Sequence, residues 1–319
     1  MALLGLYAHQ HHPEVQARFD LKQIHLSLIE KSAECKTLEN WGLLLWLDAR
    51  NGGEFLTQIL KQIDQLQPEQ TFKNLATYEL AWLLTGLAYA LQNSLPLRST
   101  KWAGFAQHVF AHLQTRYCQP TQLFYHCAPR NLKSRLRQNI SDFADQIYSI
   151  YASAAYYQFS AADEALQIAR NCARRLAELQ GPAGEWWWLY HTDHGSVAYR
   201  YPVYTVHQDG MAPMAFMKLT EVAPENWAPV IKHSFSWLFE SNGVVKYDYK
   251  ALKIIRGVRI LPPYLKHLAV LLSLVGLSRV QEKIFYRYFH RFDVINEYRA
   301  YHLGWILYYL GYQEKIITR

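Results

Sequence analysis

The feature that most constrains this chain is a recurring pair of helices, one apolar on nearly every side and the next amphipathic. Residues 74–93 carry Tyr78, Leu80, Trp82, Leu83 and Leu87 with almost no polar face, as a helix buried on most sides requires. Pro96 stops that run, and residues 102–118 return as an amphipathic helix. An earlier pair places Trp41, Leu44, Leu45 and Asp48 at helical spacing over 40–50, turns at Asn51-Gly52-Gly53, and sets Leu56, Ile59, Leu60 and Ile63 on one face of 54–66. A third spans 142–180, capped by Ser141 or Asp142 and stopped by Gly181. A fourth starts at Asp209, read as an N-cap with Pro213 in the first turn, and returns over 227–239. Beyond Pro262-Pro263 the pattern resumes at 265–277, 280–292 and 297–311.

Short extended aromatic stretches interrupt the hairpins, at LFYH (123–126), WWWLYHTDHGSV (186–197) and GVVKYDY (243–249). Stacked hairpins bury one face against the next, and closing them into a ring removes the exposed ends. The expected fold is therefore all-α, an α/α toroid of about five to six hairpins with short β-strand loops. A closed ring and an open solenoid both fit this pattern. The domain is expected over 34–319, with 1–33, which holds His9, His11 and His12, as an N-terminal surface arm.

Hydrophobic residues make up 50% of the 319 and charged residues 18%, enough for a sizeable core. The 23 tyrosines and 10 tryptophans suit surfaces that grip flat polar ligands such as sugars, although most are expected in the core. A net charge of +7 and a pI near 9.1 favour an anionic partner. The basic run RNLKSRLR (130–137) stands without a helix-turn-helix, zinc-finger or RNP pattern, so nucleic acid is not expected. Four cysteines show no CxxC spacing. The N-terminus lacks a signal-peptide pattern, and the longest apolar run, 268–277, is short of the ~20 residues that span a bilayer. A cytoplasmic location is expected.

Chemistry concentrates in 184–216, GEWWWLYHTDHGSVAYRYPVYTVHQDGMAPMAF. On a strand, Trp186 and Trp188 face one side and Trp187 the other. Trp186, Trp188, Tyr190 and Tyr204 are candidate sugar-contacting groups, with Gln208 and Asp248 as polar contacts. Tyr199 and Tyr201 share a face opposite Arg200, which suits Arg200 to a substrate carboxylate. His207 is a candidate general acid or base, next to Asp209 at a loop-to-helix junction. Glu185 and Asp248 form one candidate carboxylate pair for glycoside cleavage; Asp142 and Asp145, opening another helix, are rivals. The catalytic candidates are thus His207, Tyr201, Tyr199, Glu185 and Asp209. His191, Asp193 and His194 form H-x-D-H at a turn, a loose metal set because three residues in a turn seldom converge without a fourth ligand elsewhere, and neither metal nor cofactor is expected.

The run G-E-W-W-W-L-Y, a Gly turn, Y-R-Y-P and a helix opening with small residues and Met resembles the C-terminal helical domain of glucuronyl epimerases, within the wider six-hairpin α/α-toroid carbohydrate-active proteins. It is also similar to bacterial polysaccharide-locus proteins with a WWW-Y and HQDGMAPM core. The likeness covers roughly 140–250, and His207-Gln208-Asp209-Gly210 stands where the epimerases have Leu-Asn-Gly. It implies an oligo- or polysaccharide substrate, acidic or uronate-bearing, changed by epimerisation or glycosidic cleavage. A non-catalytic glycan-binding or assembly component of a polysaccharide pathway is the alternative. A terpenoid-cyclase-like toroid ranks last, since no DxDD or Asp-rich metal motif is present.

Overall fold

The computed structural model describes residues 1–32, 34, 37–66, 71–128, 138–203, 206–240, 246–248, 253–255 and 300–317. Its helices, in chain order, are α1 (Ala2–Ala8), α2 (Pro13–Arg18), α3 (Leu21–Ser32), α4 (Leu38–Arg50), α5 (Leu56–Gln65), α6 (Thr77–Asn93), α7 (Leu95–Arg98), α8 (Lys101–Gln114), α9 (Phe143–Ser160), α10 (Asp163–Leu179), α11 (Ala212–Val222), α12 (Ala228–Glu240) and α13 (Ala300–Ile317). A π-helical segment, Val206–Met211, runs directly into α11. The expected helices at 265–277 and 280–292 lie outside the described residues.

The apolar helices α4, α6, α9, α11 and α13 form an inner ring, each packed on its neighbour, and the amphipathic α5, α8, α10 and α12 lie outside them. α10 shows why: Ala165, Ile168, Ala169, Cys172, Ala173 and Leu176 recur at helical spacing and are buried, while Arg174 and Glu178 point out. The inner helices run parallel. Near their starts Asp145 of α9 accepts from the Tyr78 N–H of α6, and near their ends Gln92 of α6 donates to the Ala155 carbonyl. Asn93 of α6 likewise donates to Ala49 at the end of α4, and Lys218 of α11 to Gln158 of α9. All their N-termini therefore face one end of the ring.

The ring closes. Trp46 of α4 packs its indole against Trp305 and Tyr308 of α13, with ring centroids 5.5 and 6.0 Å apart. Residues 1–33, expected as a surface arm, contribute to that closure, because Leu3 and Leu4 of α1 are core residues and α1 packs along α13. Gly5 and Gly304 permit the contact: a Cβ on Gly5 would sit 2.3 Å from the Gly304 carbonyl oxygen. The axis is a solid aromatic plug. Trp82, Tyr148, Trp305, Trp46 and Tyr151 follow one another at centroid separations of 4.9 to 5.9 Å. Tyr89, Tyr151 and Tyr308 join their hydroxyls at 2.7 and 2.9 Å, so their polar tips are satisfied inside the core.

The extended stretches become short antiparallel strands. β1 (Tyr117–Cys118) pairs with β2 (Leu123–Phe124), and β3 (Ile140–Asp142), β4 (Trp187–His191) and β5 (Ser196–Pro202) form a sheet in the order β3-β4-β5. β6 (Lys246–Asp248) pairs with β7 (Lys253–Ile255). The register sets Asp142 opposite Leu189 and Ser141 opposite Tyr190. Because β3 leads straight into α9, this sheet fixes the mouth of that inner helix. No helix among the described residues is long and apolar enough to cross a membrane.

Candidate functional site

At the end of the ring where the N-termini gather, three titratable groups meet. The His126 Nδ1–H, from the loop after β2, donates to an Asp145 carboxylate oxygen at 2.8 Å and lies 3.8 Å from an Asp142 carboxylate oxygen. Asp145 is fully buried and also accepts from the backbone N–H groups of Asp142 (2.7 Å) and Tyr78 (3.2 Å). Burial pushes the Asp145 carboxyl up, and the hydrogen bond from His126 pulls it back. Asp142, at the strand-to-helix junction, keeps a side chain 27% exposed, so it is the member of the group that solvent or a ligand reaches.

The sequence builds this cluster from an ordinary helix start. Asp145 reaches back to the Asp142 N–H, one arm of a capping box, and the same carboxylate orients an imidazole brought in from the preceding loop. These three side chains are the set among the described residues that could close on a cation, with ligand atoms within 4.8 Å of one another. Two carboxylates and one imidazole fall short of a closed four-ligand zinc site. Their 2.8 Å contact makes them a hydrogen-bonded, proton-handling group.

Half-buried side chains border it. Tyr78 and Glu79 open α6; the Tyr78 hydroxyl contacts Glu79 at 3.4 Å, and the Glu79 carboxylate accepts from the Ala76 N–H at 2.7 Å. Burial raises the Glu79 carboxyl, and burial together with Glu79 raises the Tyr78 phenol. Trp82 meets Tyr78 edge-on at 5.0 Å, continuing the wall toward the aromatic plug. On the other side of Phe143, the half-buried Trp188 meets His207 edge-on at 4.8 Å, with Phe143 6.3 Å from the same imidazole.

The aromatic segment only partly lies at this rim. Trp186 is sealed in the core, stacked on Phe216 at 5.7 Å with its indole N–H on Ser234, so it offers no face to a sugar. Tyr190 is fully buried as well, its hydroxyl 3.4 Å from the Trp187 N–H. Gln208 is a structural clamp: it accepts from the Trp186 N–H and donates to the carbonyls of Gly184 and Ser234 at 2.6 and 2.8 Å. Glu185 folds over the Gly181 turn and accepts from Ala183, away from a carboxylate partner. Arg200 stands beside Trp187, 5.9 Å from its ring, and that indole reaches back to the end of α10. Asp209 is not an N-cap. It lies inside the π-helical segment, buried, with its carboxylate on His302. Tyr199, Tyr201 and Asp248 lie on β5 and β6 with side chains outside the described set, and Tyr204 lies outside the described residues.

Among the described side chains of the aromatic segment, Trp188 and His207 are thus the two candidates that reach the rim, joined there by the rival pair Asp142 and Asp145. Sequence reasoning missed His126, Tyr78, Glu79 and His302. The LFYH stretch, one of three short extended aromatic stretches that follow an amphipathic helix, was the one signal available for His126.

No protein-family model and no curated protein sequence matches the chain. Solved structures do resemble it. An unsaturated glucuronyl hydrolase specific for heparin superposes with a TM-score of 0.63 at 12% identity, over 100% of this chain and 85% of that one. An unsaturated glucuronyl hydrolase from Bacillus sp. GL1, responsible for glycosaminoglycan degradation, gives 0.57 at 13% identity, covering 98% and 84%. A cellobiose 2-epimerase from Bacillus thermoamylovorans B4167 gives 0.54 at 9% identity, covering 86% and 87%. The chain shares their architecture: it is an α/α toroid.

Proposed function

We propose that this toroid is a carbohydrate-active enzyme that cleaves a glycosidic bond in an acidic, uronate-bearing oligosaccharide at the N-terminal rim of its inner helices. The observation that carries the reading is the Asp142–His126–Asp145 group, one partly exposed carboxyl backed by an imidazole that a buried carboxylate orients. Asp142 is the residue placed to give a proton to a leaving oxygen or take one from water, the work a carboxyl does in glycoside hydrolysis. The His126 Nδ1 lies 3.8 Å from that carboxylate and is held on its other side by Asp145. Trp188, Trp82 and Tyr78 supply flat faces for a pyranose ring. Parallel helix N-termini lend a positive potential there, which with the +7 net charge supports an anionic substrate over a neutral one. Two of the toroids named above are unsaturated glucuronyl hydrolases, which supports this reading.

Epimerisation is a second reading, favoured by one observation: His207 stands half-buried against the Trp188 ring, where a bound sugar carbon would meet an imidazole base. Incubating the protein with uronate-containing oligosaccharides in deuterated water separates the cases by mass spectrometry. Cleavage gives two smaller products. Epimerisation gives a one-dalton gain per exchanged carbon without scission. Saturable binding with neither change would leave a glycan-binding component in place of an enzyme.

A further inference from the structure

We propose that Asp209 and His302 form a strut that holds the π-helical segment against α13 and thereby sets His207 at the rim beside Trp188; His302 is a positioning residue for that side chain. A π-helical turn has poor intrinsic stability and persists where its surroundings hold it. Here the three residues following His207 are held. Gln208 is tied to Gly184 and Ser234, and Gly210 is pressed against α13, where a Cβ would come within 2.8 Å of the Trp305 Cβ. Between them the His302 Nε2 lies 2.9 and 3.2 Å from the two Asp209 carboxylate oxygens. A carboxylate only accepts, so this nitrogen carries the proton.

Both side chains are buried, Asp209 at 2% exposure and His302 at 6%, where a charge-assisted hydrogen bond is stronger than it is in water. His302 belongs to the last described helix, 93 residues beyond Asp209 in sequence. The same helix closes the ring against α4 and carries α1, so the strut couples ring closure to the place where His207 stands. Its contribution to turnover rests on the reading of the rim as a saccharide site, whereas the geometric role does not.

The test compares His302→Leu with His302→Gln, whose amide can still donate to Asp209. Amide hydrogen exchange followed by mass spectrometry is the primary readout. His302→Leu should speed exchange in 206–211 by tenfold or more while α6 and α9 exchange as in the parent, and His302→Gln should recover most of the protection. If turnover of an acidic oligosaccharide has been found, kcat should fall in His302→Leu and return in His302→Gln. Unchanged exchange in 206–211, or an equal rise throughout α6 and α9, would overturn the strut. Should His302→Leu fail to fold, Asp209→Ala, which removes the acceptor, decides in the same way: a rise confined to 206–211 supports the strut and no rise refutes it. A local rise in a protein that turns over no glycan would leave the strut standing and count against the proposed activity alone.

Discussion

Replacing Asp48 by Asn should stabilise this protein at neutral pH and leave it nearly unchanged in acid. Asp48 is fully buried in the last turn of α4, where it accepts a hydrogen bond from the Phe55 N–H at 3.1 Å. Burial lifts its carboxyl from the ordinary 3.8 to about 6, against the pull of the Phe55 N–H. Its neighbour His25, 3.9 Å away, is itself pushed down by burial, so it brings no firm counter-charge at neutral pH. The folded chain therefore keeps this proton to higher pH than the unfolded chain does. The penalty is absent below about pH 4, grows between about pH 4 and 6, and is complete above that. A gap of about two pH units corresponds to about 3 kcal/mol, an upper figure that relaxation or water entry would reduce. Asparagine keeps an acceptor for Phe55 and cannot ionise. Urea unfolding of the parent and Asp48→Asn at pH 4 and pH 7.5 should show a gain of about 2–3 kcal/mol at the higher pH and about zero at the lower. An equal effect at both values, or a loss at pH 7.5, would refute the argument that ionisation of a buried carboxyl is the cost.

Other outcomes follow from packing. Trp186→Ala should cost about 3–5 kcal/mol in unfolding experiments, because the indole is wholly enclosed by Phe143, Phe216 and Ser234. Trp188→Ala, at a half-buried site, should cost much less stability but weaken saccharide binding by roughly two- to tenfold in calorimetry. Gly304→Ala puts a methyl 2.5 Å from the Ala2 Cα and should lower the melting temperature by an amount equivalent to about 1–3 kcal/mol. Gly104→Ala, where a Cβ meets nothing within 4 Å, should be neutral or stabilising by up to about 1 kcal/mol.

The hairpins were legible in the sequence because an inner helix such as α6 has no polar face and an outer helix such as α10 has one. Both properties are local, and periodicity reports them. Closure of the ring was not legible: it rests on Trp46 meeting Trp305 and Tyr308, with Gly5 meeting Gly304 alongside, and these contacts have no local signature. That is why 1–33 looked like an arm. The tryptophan run is extended from Trp187 onward, but Trp186 and Trp187 are buried and only Trp188 is partly exposed. Alternation places Trp186 and Trp188 on one side, yet Trp186 passes inward of Phe143 while Trp188 stops beside His207. An aromatic surplus serves a plugged axis as well as a sugar cleft, and here much of it fills the axis. Asp145 could be seen opening a helix. Its pairing with His126, 19 residues earlier, exists only once β3 and the loop after β2 are folded onto α9. Asp209 has the look of a cap because Asp-Gly precedes a helix, but the π-helical segment carries the helix back past it and turns the carboxylate toward His302.

The most direct measurement is product analysis of uronate-bearing oligosaccharides treated with the parent protein and with Asp142→Asn, both shown to be folded by their melting curves. The account predicts smaller saccharides from the parent and a loss of at least a hundredfold in rate for Asp142→Asn with the fold retained. Intact substrates from the parent, or unaltered cleavage by Asp142→Asn, would contradict it.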